Sequence, residues 1–115
     1  MEHDFIKKGK VIIIVEILEY VPNSVVIKTI IKKTTGSVTA VSFDSGEALS
    51  SKVSPFDTFI QIIEGKAEII IDGISNSLET GQSIIIPANC NNTLKANVRF
   101  KMISTVIKSG YEEFI

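Results

Sequence analysis

The sequence is short of the side chains on which most small enzymes depend. Its 115 residues hold one cysteine, Cys90, one histidine, His3, and no tryptophan. A single thiol excludes an intramolecular disulfide, and one thiol with one imidazole cannot build a His/Cys zinc cage. Ser50-Ser51 has no histidine base beside it in any motif, so serine-hydrolase chemistry is not indicated. Long apolar runs are missing as well. Val11–Val15 and Ile84–Ile86 fall far short of the roughly eighteen residues that cross a membrane as a helix. Charge of one sign is not in excess: 12 basic and 13 acidic side chains leave a net charge of -1. Without a basic field, neither nucleic acid nor an anionic membrane is an expected partner. MEHDFIKKGK carries no apolar stretch followed by a small-residue cleavage site, so a cytoplasmic location is expected.

What is present reads as one β domain. Hydrophobic residues make up 44% and charged residues 22% of the chain, and mean hydropathy is +0.30, too apolar for intrinsic disorder. Isoleucine is the commonest residue, in short runs bounded by Gly, Asn, Asp, Ser or Pro. Strands are expected over Val11–Ile14, Ser24–Ile31, Ser37–Phe43, Thr58–Glu64, Lys66–Asp72, Ile74–Leu78, Ser83–Ile86, Thr93–Ala96 and Phe100–Ile107. That count and spacing suit a barrel or sandwich, and only Val15–Tyr20 permits a short helix. Two consecutive hairpins are expected, one turning at Glu64-Gly65-Lys66 and one at Asp72-Gly73, the pair favoured in type I′ turns. Leu78-Glu79-Thr80-Gly81-Gln82 should reverse the chain again, and Pro87 should end the strand before it.

From Gly46 to Ala96 this punctuation resembles a small single-domain cupin. The first cupin motif, G-x5-H-x-H-x3,4-E-x6-G, is matched by Gly46, Glu47, Pro55, Phe56, Asp57 and Gly65 in residues 46–65. The second, G-x5-P-x-G-x2-H-x3-N, is matched by Gly81 and Pro87 in residues 81–96, and the fifteen residues Lys66 to Thr80 separate the two. The resemblance implies an all-β cupin-type double-stranded β-helix, or jelly-roll barrel, over residues 1–115, with residues 1–10 as an N-terminal extension. By the same register, the family's metal-binding histidines fall on Lys52, Ser54 and Asn92, and its glutamate on Thr58. A protonated lysine offers a metal no lone pair, and hydroxyl and amide oxygens are weak ligands for transition ions. No metal or other cofactor is therefore expected.

Strand alternation supplies a second line of reasoning. Thr58, Ile60 and Ile62 share one face of their strand, while Phe59, Gln61 and Ile63 share the other, and both faces are largely apolar. The register places Lys52, Ser54, Thr58 and Asn92 in the barrel lumen, with Ile60, Ile62 and Leu94 as an aliphatic wall. The expectation is a metal-free pocket for a small polar, acidic or sugar-like molecule, with no catalytic residue assigned. One alternative is a metal-independent isomerase or epimerase using Lys52, Asp57, Tyr20 or Tyr111. The other is a purely dimeric interaction module. An outer face bearing Phe59, Ile63, Ile69 and Ile71 leads us to expect a homodimer. Asp57 and Glu47 read as loop acids and His3 as a surface residue. Lys10, Lys28, Lys32 and Lys33 read as edge-strand lysines. Cys90 reads as a bystander unless a cation such as Lys52 or Lys95 activates it. YEEFI reads as a frayed end.

Overall fold

Runs of β-branched residues broken by turn formers give eight strands among the described residues. The computed structural model describes residues 6–51 and 53–108. A one-turn helix, α1 (Ile14–Ile17), precedes β1 (Val25–Lys33), β2 (Gly36–Phe43), β3 (Ala48–Ser51), β4 (Thr58–Ile71), β5 (Ile74–Glu79), β6 (Ser83–Ile86), β7 (Asn92–Lys95) and β8 (Phe100–Ile107). All pairings are antiparallel. The strands run β1-β2-β8-β4-β7-β3, with β5 and β6 also pairing β4. One layer therefore holds β1, β2, β8, the first half of β4 and β6, and the other holds β5, the second half of β4, β7 and β3. This is a jelly-roll barrel, and the core lies between its layers, around Phe43, Ile60, Ile62, Ile69 and Phe100.

Two expected features give way to one longer strand. Residues 58–71 do not turn back at Gly65; they form the single 14-residue strand β4, which crosses from one layer to the other. Before Gly65 the strand pairs with β6 and β8, and after it with β5 and β7. A register shift between Ile62 and Glu64 accompanies the crossing, and Gly65 takes φ +92. The extra residue reverses the parity of the faces. Thr58, Ile60 and Ile62 face inward before the bulge, and Ala67 and Ile69 after it. Ile69 is thus wholly buried, and Ile71 packs against the same core, so neither belongs to the outer patch expected from simple alternation. The turn at Asp72-Gly73 forms as expected, with both residues at positive φ as type I′ requires.

The chain before β1 is a strap rather than a strand. Val11–Ile14 is not extended into a sheet, and the helix, expected over 15–20, occupies Ile14–Ile17 only. The strap lies against the outer face of the first layer, with Leu18 fully buried. Its carbonyls are held by side chains from the sheet. Lys101 Nζ donates to Val15 O at 2.7 Å, Lys28 Nζ to Ile17 O at 2.7 Å and Ser42 Oγ to Glu19 O at 2.8 Å. Lys28, Lys32 and Lys33 lie on β1, at the end of the strand order, whereas Lys10 precedes it.

Tyr20 closes the strap. Its hydroxyl donates to Glu64 Oε2 at 2.6 Å, and its ring lies 4.6 Å from Arg99 and 4.7 Å from Lys101. Burial first, and the Glu64 hydrogen bond second, hold the phenol protonated well above its ordinary range. A folded-state pKa above the unfolded one means that this contribution to stability is complete below about pH 10 and declines as pH rises further. An ultraviolet phenolate titration of Tyr111→Phe, which leaves Tyr20 as the lone tyrosine, should show no phenolate at pH 10; half-titration there would contradict the assignment.

Candidate functional site

The loops at one end of the barrel are held by backbone amides that donate to carboxylates and to backbone carbonyls. Pro87 ends β6, and the following turn is anchored where Ala88 N donates to Asp57 Oδ1 at 2.8 Å and Asn89 N to Ser54 O at 2.6 Å. Asn91 N donates to Asp72 Oδ1 at 3.0 Å, and Asp72 N to Asn91 O at 3.0 Å. These bonds set Cys90 and Asn92 at the edge of a cavity of about 410 Å³ between the two layers. That volume lies at the small end of the range for small-molecule sites.

Five of the seven residues assigned to the lumen from the sequence line this cavity: Ser54, Thr58, Ile60, Asn92 and Leu94. Ile62 does not; the bulge that follows it leaves it packed in the core. Lys52 lies outside the described residues. Motif register did not reveal the polar wall contributed by β2 and β8, where Ser37, Thr39 and Ser104 face inward with Met102 and Val106. Thr39 and Ser104 are cross-strand partners, and Ser104 is also opposite Ile60. The available signal was period-two alternation, since Ser37, Thr39 and Val41 on β2 and Met102, Ser104 and Val106 on β8 each share a face. Lys108, just beyond β8, also borders the cavity.

The polar groups of the lining are largely without internal partners. Among the described residues, the hydroxyls of Ser37, Thr39, Thr58 and Ser104 make no side-chain hydrogen bond, and Ser54 Oγ accepts one from Phe56 N at 3.1 Å. Asn92 Oδ1 is buried with no hydrogen-bond partner. A buried polar atom left unpaired costs about 1–3 kcal/mol. That oxygen is closed off from the cavity, so the hydroxyls of the lining, and not this atom, are what a ligand can meet. Two hydroxyls and an amide at the register positions Ser54, Thr58 and Asn92 are a poor fit to a transition metal, and no cluster of three His, Cys, Asp or Glu side chains that could hold a metal occurs among the described residues.

The candidate acid–base groups do not converge on the cavity. Asp57 is committed to the Ala88 amide, and Tyr20 lies on the outer face against Glu64. Tyr111, like His3, lies outside the described residues. Cys90 lines the cavity, but its neighbours are acids. A hydrogen bond to Asp72, then burial, then the charges of Asp72 and Asp57 push its thiol up, away from the reactive thiolate.

A jelly-roll of two antiparallel layers around a lumen defines the class. The protein has the cupin fold, in the form of a small cupin domain. Its structure is similar to a conserved protein of unknown function from Streptococcus pyogenes, at 27% identity over 96% of this chain and 93% of that one, with TM-score 0.83. It shares its fold with a cupin superfamily protein from Desulfitobacterium hafniense, at 21% identity over 90% and 95% of the two chains, TM-score 0.83. A cupin 2 conserved barrel domain protein from Leptotrichia buccalis matches at 28% identity over 82% of this chain and 46% of that one, TM-score 0.77. No family model and no curated protein matches the sequence. Among the described residues no helix is long and apolar enough to cross a membrane.

Proposed function

We propose that this protein is a metal-free, cytoplasmic cupin that binds a small polar or acidic molecule in its lumen and performs no chemistry on it. The observation that carries the reading is a cavity wall that holds four uncommitted hydroxyls, with Lys108 as the one charged side chain among its described residues. Aliphatic side chains of Ile60, Ile86 and Leu94 would cover the carbon skeleton of the ligand.

The test uses stability as its readout. A ligand at a hundredfold its Kd adds about 2.7 kcal/mol, a rise in Tm of roughly 10 °C for a chain of this size. A thermal-shift screen of carboxylates, sugars and sugar acids should find such a compound. Thr39→Val together with Ser104→Ala should abolish most of the shift, and Asn92→Leu should raise the Tm of the free protein, because it removes an unpaired buried acceptor worth about 1 kcal/mol. A ligand that stabilises the Thr39→Val, Ser104→Ala variant as much as the wild type would contradict the role given to the hydroxyls. One equivalent of iron, nickel or zinc in protein purified without a tag would overturn the metal-free assignment.

A second reading, compatible with the first, is self-association through the outer face. Ile31, Val38, Thr105, Phe59 and Ile85 are successive cross-strand partners across all five strands of the first layer. This row is uncharged, with Ile31 49%, Phe59 39% and Ile85 58% exposed. A second copy presenting the same row would cover it by twofold packing. Light scattering at micromolar concentration should give a dimer mass, falling to the monomer mass in Ile85→Lys. A monomeric wild type would refute the proposal.

A further inference from the structure

We infer that the ligand is a short aliphatic carboxylate, its anionic group held among the lumen hydroxyls toward Lys108 and its hydrocarbon end further along the strands. This inference rests on the lumen being a binding site, and it follows from the order in which the strand pairings stack the lining. Along β8 from its end, Val106 lies between Ser37 and Thr58, and Ser104 between Thr39 and Ile60. Met102 comes next, beside Val41, whose partner on β1 is Ile27. All nine residues border the cavity, and Lys108 stands at the end of the series that carries Ser37. Successive rows are roughly 7 Å apart, two residues of antiparallel strand. The lining therefore passes from an ammonium, through two rows bearing hydroxyls, to an aliphatic row.

The polar end is rich in donors. Ser37, Thr39, Thr58 and Ser104 each carry a hydroxyl proton, and the ammonium of Lys108 has three donors and no acceptor. Asn92 turns Nδ2 rather than Oδ1 to the cavity, since the oxygen is the atom closed off. A carboxylate only accepts, at about four lone-pair sites on its two oxygens, and hydrogen bonds to it are charge-assisted. No Asp or Glu stands in the described lining, so a cationic group there would lose hydration without gaining a counter-charge. Lys32 and Lys33 gather with Lys108 around a surface depression at the β1–β2 turn that holds no acidic residue among its described walls. Three positive charges at that end favour an incoming anion.

The far end excludes a polyol. Past the Thr39–Ser104 pair the walls are Ile27, Val41 and Met102, with Leu94 in the other layer. A hydroxyl placed there would give up water and find no partner, whereas methylene groups gain from burial.

Calorimetric titration of the full chain with hexanoate, gluconate and hexan-1-ol separates the two requirements. Hexanoate should bind about tenfold or more tightly than either of the others. Gluconate sets hydroxyls against the aliphatic row, and hexan-1-ol brings no charge to the donors. Thr39→Val together with Ser104→Ala should weaken hexanoate about tenfold and hexan-1-ol by less. Lys108→Gln should weaken hexanoate about threefold, as loss of an exposed charge pair does, and leave hexan-1-ol unchanged. Gluconate or hexan-1-ol binding as tightly as hexanoate would overturn the inference while leaving the lumen as a binding site. So would silence of all three beside a stabilising compound of another class in the thermal-shift screen. Silence of all three with no stabilising compound in that screen would overturn both.

Discussion

Phe100→Ala is expected to destabilise the protein by about 3–5 kcal/mol, the usual cost of removing a buried aromatic ring. Phe100 and Phe43 are both fully buried and are cross-strand partners on β8 and β2. Their rings stack with centroids 4.4 Å apart and planes inclined by 13°. Truncation loses the transfer energy of the ring and leaves a cavity, and stacking adds about 0.5–1.5 kcal/mol beyond burial. Against a total stability of about 5–15 kcal/mol, this is a large share. Thermal unfolding should move down by roughly 15 °C. Ile74→Ala, at a position 68% exposed, should move it by little. A shift at Phe100 no larger than at Ile74 would mean that the core is centred elsewhere.

The second large effect is expected at Gly65, directly across from Phe100 in the β4–β8 ladder. A methyl group there meets two separate penalties. At φ +92 an L-residue is strained, by about 1–2 kcal/mol. The new carbon would also lie 3.0 Å from Phe100 Cα and Cβ and overlap the Arg99 carbonyl oxygen. These are backbone or branch-point atoms that cannot swing aside, so an overpacking cost of about 1–3 kcal/mol follows. Gly65→Ala should therefore lose about 3 kcal/mol in denaturant unfolding. Gly81→Ala supplies the comparison, because its φ is also +92 but nothing lies within 4 Å of the added carbon; it should lose only the strain. Equal losses at the two positions would show that the close approach of β8 is not what demands glycine at 65. Phe100→Ala and Gly65→Ala touch one junction, so the double variant should not be additive.

That junction also shows where sequence reasoning stopped. Apolar runs on either side of Gly65 suit either a hairpin or one bent strand, because positive φ serves both. The choice depends on partners: β6 and β8 lie beside the first half of β4, and β5 and β7 beside the second. The bulge then changes which residues face inward, so a face assigned by counting from Thr58 is right as far as Ile62 and reversed at Ile69. The strand β3 was not expected at all; its residues Ala48–Ser51 carry weak β propensity and are extended because β7 pairs with them. Conversely, Val11–Ile14 looks like a strand and is not one. The sheet docks this segment by its carbonyls through Lys101, Lys28 and Ser42.

Other features were legible because their causes are local. Asp72-Gly73 forms its turn from the conformational preferences of those two residues, and Pro87 ends β6 because it has no amide proton to donate. Spacing between Gly46, Gly65, Gly81 and Pro87 was enough to bring Ser54, Thr58 and Asn92 to one cavity. The amino-acid sequence thus determined the all-β class, most strand boundaries, the tight turns and part of the lumen, since propensity, alternation and turn chemistry act over a few residues. Only the tertiary structure decided the bend at Gly65, the docking of the strap and the hydroxyl wall facing Asn92. Those depend on β2, β8 and the N-terminal segment lying beside strands distant in sequence, and no local preference encodes such contacts.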